Sequence, residues 1–398
     1  GIAAWLLITA LFNRGNIRIP VSCLTVLFIL FAGYILFRDL CSPINIGIGY
    51  AAGILVLFLL CLNIPERTSR HINLLIVCLC IFQGVYGLAE YAGVNRLYHD
   101  IPIRGSFDNP AGFAACVAVG YPFCLFYLHE RNGLKWFGAV GIGIISLGVM
   151  LSESRTGILM LVAATILFYS VRYKQLLWKF KKTFIPVSVL VLILLAVTLF
   201  YYKPESALGR FAIWQNTMHL ISDNLAFGGG NGYFLSDYMP CQAAYFSANP
   251  DSEYAQLASN VYHPFNEYLL LTAEYGLAGL LMLAALVFVI LKYGKRDSPY
   301  ILTGISAGVG ALFSYISWYP YVWVVVVYAL ARLSRQMPAV KIATIRRSYV
   351  AALCLVLFSG FAWLLRKDIG FEYHWRITAA ESLAGHTRET MPDYEKLY

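Results

Sequence analysis

The sequence predicts an all-α polytopic membrane protein with about twelve transmembrane helices. Of its 398 residues, 59% are hydrophobic and only 13% are charged, whereas roughly a quarter of the residues in soluble domains are charged. Apolar runs of about the length needed to cross a bilayer recur along the chain. These runs lack the strict alternation of barrel strands, so helices that satisfy their own backbone hydrogen bonds are expected.

The apolar runs locate the expected helices in chain order. They cover residues 2–12, 19–37, 45–63, 72–93, 110–128, 136–152, 157–171, 183–201, 265–291, 300–317, 320–334 and 349–365. The first run is short and the sequence starts at Gly1 rather than Met. We therefore expect the natural N-terminus to lie upstream.

The connections between these runs divide the chain into four regions. Residues 1–201 hold transmembrane helices 1–8, and residues 263–365 hold helices 9–12. Between them, residues 202–262 form a 61-residue loop, and loops of this length are usually functional. The segment 208–225 of this loop predicts an interfacial amphipathic helix that ends at a glycine-rich turn. Residues 366–398 form a polar, helix-compatible tail that predicts the start of a helical-repeat domain.

The positions of lysine and arginine predict the orientation of the chain. The net charge is +9, and 19 of the 30 basic residues fall in loops on one side, which the positive-inside rule assigns to the cytoplasm. The charge thus reflects topology. Nucleic-acid binding is not expected, because no basic, aromatic-interleaved soluble module is present.

The cysteines predict no metal site. Their spacing matches neither zinc nor iron-sulfur ligation, and no metal ion or cofactor is expected. Cys41 and Cys241 both fall outside the membrane on the non-cytoplasmic side, where an oxidising compartment would allow them to form a disulfide.

Four motifs with unusual polar residues share the outer, non-cytoplasmic face. They are "RGSFDNPAGFA" with Arg104 and Asn109, "SESRTG" with Arg155, "GRFAIWQNTMHL" with Arg210 and Trp214, and "HPFNEYLLLTAEYGLAG" with His263, Asn266 and Glu274. Helical spacing in the last motif predicts that its imidazole, amide and carboxylate share one helix face. A carboxylate this deep in a membrane helix normally faces a bundle interior or a wet cavity.

The chemistry of these side chains indicates a lipid-linked phosphate substrate. The planar donor fork of arginine fits phosphate oxygens, and several converging arginines suit a pyrophosphate. A histidine accepts a proton from a hydroxyl near neutral pH. Together they predict a transferase in which Arg155 and Arg210 hold a pyrophosphate leaving group while His263 activates an acceptor.

Each motif also has a purely structural explanation. Arg104 and Arg210 could contact lipid headgroups, and Glu153 could pair with Arg155 inside one turn. His263 could cap a helix that starts at Pro264. For the glycines, shaping a turn is favoured over cradling phosphate. A lipid-linked glycan transporter and a non-catalytic envelope scaffold are the alternatives from other classes; a transporter should have charged residues along a path through the membrane, and here they cluster on the outer face.

At these residues the sequence resembles the O-antigen ligase superfamily, which includes O-antigen ligases, O-antigen polymerases and bacterial protein O-oligosaccharyltransferases. The resemblance spans nearly the whole membrane region and rests on four ordered motifs, "RGSFDNPAGFA", "SESRTGIL", "GRFAIWQNTMHLISDNLAFGGGNGYF" and "HPFNEYLLLTAEYGLAGLL". It implies a helical glycosyltransferase of the GT-C type in the bacterial inner membrane. Such an enzyme moves a glycan from undecaprenyl pyrophosphate to an acceptor on the periplasmic face without metal or nucleotide sugar.

The resemblance also implies roles for individual residues. Arg155 and Arg210 match the arginines that the family is proposed to use on the donor pyrophosphate, and His263 matches its candidate base. Arg104 lies in the family's earlier arginine-containing loop. Family members often have a second asparagine after "NP", where this chain has Ala111, so no side-chain role carries over to that position.

The acceptor is left open among a protein, lipid A core and a growing glycan. The polar tail is similar to the start of helical-repeat extensions on some ligase-like bacterial proteins, which favours a protein acceptor. The motifs themselves serve all three acceptors, so O-antigen polymerase remains an alternative to protein O-oligosaccharyltransferase and O-antigen ligase.

Overall fold

The structure, a computed structural model, describes six long segments of the chain and one short one. They are residues 16–41, 46–94, 103–130, 133–179, 204–296, 298–346 and 387–397, with scattered positions between 186 and 201 and between 349 and 382. The predicted span 2–12 lies outside the described residues, as do most residues of the spans 183–201 and 349–365.

Within these residues the chain is mostly helical. The helices are α1 (Cys23–Leu40), α2 (Ile46–Leu62), α3 (Glu66–Tyr91), α4 (Pro110–Ala118), α5 (Tyr121–His129), α6 (Lys135–Leu151), α7 (Arg155–Arg172), α8 (Lys174–Lys179), α9 (Pro204–Asp223), α10 (Tyr233–Ala248), α11 (Glu267–Tyr293), α12 (Pro299–Phe313), α13 (Pro320–Gln336) and α14 (Thr387–Leu397). Five helical segments are long and apolar enough to cross a membrane: α1, α3, α4 with α5, α7 and α11. Nine predicted spans fall on described residues, and each contains at least one helix.

The described residues agree with an all-α membrane protein, and they also contain a two-stranded sheet that was not predicted. Strand β1 (Asn16–Ser22) pairs antiparallel with strand β2 (Ala339–Arg346), although the predicted span 19–37 includes the second half of β1. The register continues into side-chain contacts, since the Ser22 hydroxyl lies 2.7 Å from that of Ser334 on α13. The sheet therefore ties the start of α1 to the end of α13.

The predicted span 110–128 forms two helices rather than one. A turn at Val119 and Gly120 separates α4 from α5, with Pro122 in the first turn of α5. Together they form the most deeply buried segment, since 83% of its apolar window lies inside the protein. This central position fixes the start of α4, where the "RGSFDNP" motif ends.

The long loop contains two helices, of which one was predicted. Helix α9 covers the expected amphipathic segment, but it packs on α10 and α11 rather than lying apart from the bundle. Helix α10 was not predicted. Cys41 and Cys241 are free thiols, and the Cys241 thiol donates to the carbonyl of Asn216 on α9 at 3.6 Å, so the disulfide that their placement would allow is not formed.

The glycine-rich turn that follows α9 docks on a kink in α11. Gly276 has non-helical backbone angles (φ 66°) inside α11. The amides of Gly229 and Gly230 donate to the carbonyls of Ala273 and Glu274, at 2.9 and 2.8 Å. On the other side of the kink, the amides of Leu277 and Ala278 donate to the carbonyls of Leu225 and Ala226, at 2.9 and 3.1 Å. The backbone groups of a membrane helix must form hydrogen bonds within the protein. At the kink, the turn supplies the hydrogen-bond partners that the interrupted helix lacks.

Side chains from α1 also contact the place where the glycine-rich turn docks on the kink in α11, which we call the joint. The Tyr34 hydroxyl donates to the carbonyl of Tyr275 at 2.7 Å, and the guanidinium of Arg38 donates to the carbonyl of Gly228 at 2.7 Å. The Tyr275 hydroxyl donates to the buried carboxylate of Asp39 at 2.9 Å. The glycines therefore shape a turn, in agreement with the favoured prediction, and fix the C-terminal end of α9 to the bundle.

Candidate active site

Arg155 occupies the first position of α7, at the end of a tight turn. Ser154 is the N-cap of this helix, and its side chain accepts from the amide of Gly157 at 3.2 Å. Glu153 has a positive φ of 53°, which is uncommon for a non-glycine residue. The Nη2 of Arg155 donates to the hydroxyl of Ser206 on α9 at 2.8 Å. The turn thus points Arg155 toward the loop helix rather than into the bundle.

Arg210 lies on the same helix as Ser206, four residues further on, and is half-buried. Burial, and to a smaller extent the nearby positive charge of Arg155, lower the pKa of its guanidinium to about 10. The side chain remains charged at neutral pH. Two like charges held this close repel each other, so the pair forms a site that favours an anion with several negative oxygens.

His263 lies in an aromatic cluster next to this arginine pair. Its ring stacks on Tyr315, with centroids 4.5 Å apart and an interplanar angle of 15°. Trp318 contacts the same ring edge-on, at 4.9 Å and 61°. Burial lowers the pKa of the imidazole, and the carboxylate of Asp108 partly opposes this change. His263 is therefore neutral at pH 7 and able to accept a proton.

Phe265 connects the histidine to the arginines. Its ring lies 5.4 Å from that of Tyr315, and the Cζ of Arg210 lies 5.2 Å from the Phe265 ring centroid. Phe265 also has a positive φ of 53°. In the described residues, the non-glycine residues with positive φ are Phe265 and Glu153, each two positions from a candidate site residue. Strain of this kind concentrates at functional sites.

Asn109 joins the "RGSFDNP" motif to the same aromatic cluster. Its Oδ1 accepts from the amide of Gly112 at 2.8 Å and caps α4. Its Nδ2 lies 2.7 Å from the hydroxyls of both Tyr315 and Tyr319. The Tyr319 hydroxyl donates to the carboxylate of Asp108 at 3.0 Å. A Cβ on Gly112 would lie 2.2 Å from Cζ of the Tyr319 ring, so glycine is needed there to admit the tyrosine.

Replacement of Asn109 by alanine should lower the free energy of unfolding by about 1–2 kcal/mol, because the cap of α4 and the tyrosine contacts are both lost. Asn109→Ser is the matched control, since serine keeps a capping oxygen. Thermal unfolding of the purified variants in detergent measures the difference. Equal losses in the two variants would show that the cap contributes nothing.

The predicted helix face from His263 to Glu274 is wrong. Helix α11 starts at Glu267, and Asn266 is its N-cap, with Oδ1 accepting from the amides of Tyr268 and Leu269 at 3.0 and 3.1 Å. His263 therefore lies before the helix and does not cap it. Helical spacing did not apply because Phe265 has a positive φ and the helix begins only at Glu267.

Three other predicted site residues have partners inside the protein. Arg104 pairs with Glu90, whose Oε1 lies 3.9 Å from its Nε. Glu274 lies at the α11 kink and accepts from the amide of Gly232 at 2.9 Å. Trp214 donates from Nε1 to the carbonyl of Pro264 at 2.9 Å, which links α9 to the residue after His263. The structure thus brings Arg155, Arg210, His263 and Asn109 together and gives Arg104, Glu274 and Asn266 structural contacts.

The side chains that surround His263 were not predicted as site residues. Asp108 stands inside a recognised motif, and Tyr315, Trp318 and Tyr319 stand in "SYISWYP", the short connection between α12 and α13. Tyrosine and tryptophan at the ends of membrane spans usually belong to the interfacial aromatic belt. The sequence feature that could have identified these side chains is the position of this connection on the same face as the four motifs.

The fold and the site define the class of protein: a multi-pass helical membrane protein with a paired-arginine, aromatic-lined site at one end of its bundle. Residues 140–284 match the family model described as O-Antigen ligase, and this match supports membership of the O-antigen ligase superfamily. The matched segment includes Arg155, Arg210 and His263. The family points to a glycosyltransferase that uses a lipid-linked glycan donor and a glycan acceptor. A comparison with curated proteins gives no match.

Proposed function

We propose that the protein is an inverting, metal-independent oligosaccharyltransferase of the O-antigen ligase type. It moves a glycan from undecaprenyl pyrophosphate to an acceptor hydroxyl at the periplasmic face of the bacterial inner membrane. The observation that carries this proposal is the convergence of Arg155 and Arg210 beside the aromatic cluster of His263. The asymmetry of lysine and arginine along the chain supports the periplasmic placement.

In this proposal the arginine pair holds the leaving group. As the glycosidic bond to the donor breaks, negative charge collects on the departing pyrophosphate. Arg155 and Arg210 offer two guanidinium groups that already repel each other, and an anion between them relieves that repulsion. They supply the charge stabilisation that a metal ion supplies in other phosphate sites.

His263 then takes the proton of the acceptor. The hydroxyl oxygen attacks the anomeric carbon of the donor, its proton passes to the neutral imidazole, and the bond between that carbon and the pyrophosphate oxygen breaks. The electron pair leaves on the lipid pyrophosphate. A single displacement of this kind inverts the configuration at the anomeric carbon.

The experiment that tests the function combines purified protein, in a bilayer nanodisc with a chelator present, with a lipid pyrophosphate-linked glycan. An acceptor protein, lipid A core and a second glycan are supplied in separate reactions. We expect transfer that depends on acceptor and survives chelation. Release of lipid pyrophosphate without a glycosylated product in every reaction, or no reaction at all, contradicts the proposal.

The dependence of transfer on pH follows from His263. A general base acts only when it is neutral, so kcat/KM should be constant above the pKa of His263 and fall as the pH drops through it. Because burial lowers this pKa, the midpoint of the acid limb should lie below the usual value of 6.5.

Asp108→Asn tests the assignment of the acid limb. It removes the charge that raises the pKa of His263, so the midpoint should move to lower pH. Tyr315 also faces the ring and Arg210 lies near Tyr315, but neither changes charge in this range. A midpoint that stays in place in Asp108→Asn, or a profile without an acid limb, assigns proton transfer to another group.

A further inference from the structure

We propose that Trp318 is the platform on which a saccharide ring of the acceptor binds. This inference rests on the function proposed above and names the residue that binds the glycan acceptor at the same site. A glycan acceptor differs from the protein acceptor that the polar tail favours.

Trp318 is an exposed aromatic side chain in contact with the candidate base. Its side chain is 63% exposed, although its indole lies 4.9 Å from the imidazole of His263. Tyr315, which stacks on the same imidazole, is half-buried and is hydrogen-bonded to Asn109. Trp318 therefore offers open aromatic surface next to the atom that is to take the acceptor proton.

The backbone beneath Trp318 is fixed from both sides. The preceding amide, of Ser317, donates to the carboxylate of Glu267 at 2.8 Å. The carbonyl of Ser317 accepts from Nε1 of Trp323 at 2.7 Å, and the amide of Trp318 itself donates to the carbonyl of Tyr315 at 3.1 Å. A carboxylate at the head of α11 thus holds a three-residue turn whose tryptophan stays exposed. Fixing an exposed aromatic in this way is the preorganisation that a binding platform needs.

The order of contacts puts Trp318 away from the leaving group. Starting at Arg210, the contacts run through Phe265, Tyr315 and His263 to Trp318. Three rings separate Trp318 from the arginine. In a single displacement the nucleophile approaches on the side opposite the leaving group, so a ligand on Trp318 occupies the acceptor side of His263.

The surface of an indole suits a sugar ring. A pyranose has a face of polarised C–H groups, and the face of an aromatic ring carries the negative part of its quadrupole. Binding sites for small polar ligands combine such apolar faces with a few placed polar groups. A serine or threonine hydroxyl on an extended peptide offers no comparable face.

The first test is binding of free saccharides, which needs no turnover. Saturation-transfer NMR on the protein in nanodiscs would use methyl glycosides of glucose, galactose and N-acetylglucosamine as probes. We expect a signal with the natural protein, an unchanged signal in Trp318→Phe and a loss of about tenfold in binding in Trp318→Leu. Leucine keeps apolar surface for lipid contact but removes the aromatic face.

Trp136→Leu is the matched control. Trp136 is 81% exposed and lies in the first turn of α6, at the opposite end of that helix from the Arg155 turn. Its replacement should leave saccharide binding unchanged. Binding that is equal in Trp318→Leu and the natural protein, or absent from the natural protein with all three probes, overturns the proposal.

The second test separates the acceptor from the donor. With a glycan acceptor, Trp318→Leu should raise the KM for the acceptor by about tenfold and leave the KM for the donor unchanged. Transfer to a serine- and threonine-containing peptide at a rate that Trp318→Leu does not alter overturns the assignment. If the natural protein binds glycosides but transfers no glycan, the proposed function fails while the saccharide site stands.

Discussion

Replacing Arg210 by alanine is expected to reduce transfer by about 10²–10³-fold, because one of two groups that stabilise the departing pyrophosphate is removed. The fold should survive. The buried guanidinium is repelled by Arg155, and its only described aromatic contact, with Phe265, contributes about 0.5–1 kcal/mol. The free energy of unfolding should therefore change by no more than about 1 kcal/mol, as measured by thermal unfolding beside the transfer assay.

Two further variants make this prediction specific. Arg210→Lys keeps the charge but loses the planar fork, so it should recover only part of the activity. Arg172→Ala removes an exposed arginine at the far end of α7, where the side chain lies 5.9 Å from the Phe168 ring, and should transfer normally. Near-normal turnover in Arg210→Ala would remove this arginine from the site.

Replacing Gly276 or Gly228 by alanine is expected to prevent stable folding. Both glycines have positive φ, 66° and 71°. A Cβ on Gly276 would lie 2.4 Å from backbone atoms of Ala226, and one on Gly228 would lie 2.3 Å from the backbone of Glu274. Backbone atoms cannot move aside as a flexible side chain does, so each variant should lose more than about 3 kcal/mol of stability.

Gly209→Ala is the control for these two variants. Gly209 lies in α9 beside Arg210, and a Cβ there meets nothing within 4 Å. Because alanine is a better helix former than glycine, this change should raise stability by about 0.5–1 kcal/mol. Yield of monodisperse protein and unfolding temperature in detergent measure all three. Gly276→Ala with the unfolding temperature of the natural protein would show that the joint is looser than its contacts indicate.

The helices were predictable from the sequence, and the sheet was not. Apolar length locates a membrane helix without knowledge of its neighbours, and each predicted span on described residues contains at least one helix. The strands β1 and β2 come from opposite ends of the described bundle, and pairing at such a separation leaves no local signal. The alternation of Ile17, Ile19 and Val21 was divided at the start of the predicted span 19–37, which includes only Ile19 and Val21.

At the site, side-chain chemistry was predictable and partners were not. Arginine and histidine on one face indicated Arg155, Arg210 and His263 together, and these lie together. Asn266 was predicted to share a helix face with His263 and Glu274, but an asparagine directly before an apolar run is also a helix N-cap. Only the contacts distinguish the two. Trp318 was overlooked for the opposite reason, since a tryptophan at a span end normally contacts lipid.

The pairing of β1 with β2 sets an order for the synthesis of the protein. The two strands lie more than 300 residues apart, so at about 5–20 residues per second β1 waits roughly 15–60 seconds for its partner. During that time the backbone groups of β1 form an open strand edge. The sheet can form only after α13 and β2 have been synthesised, so its formation is a late step in the assembly of the described helices.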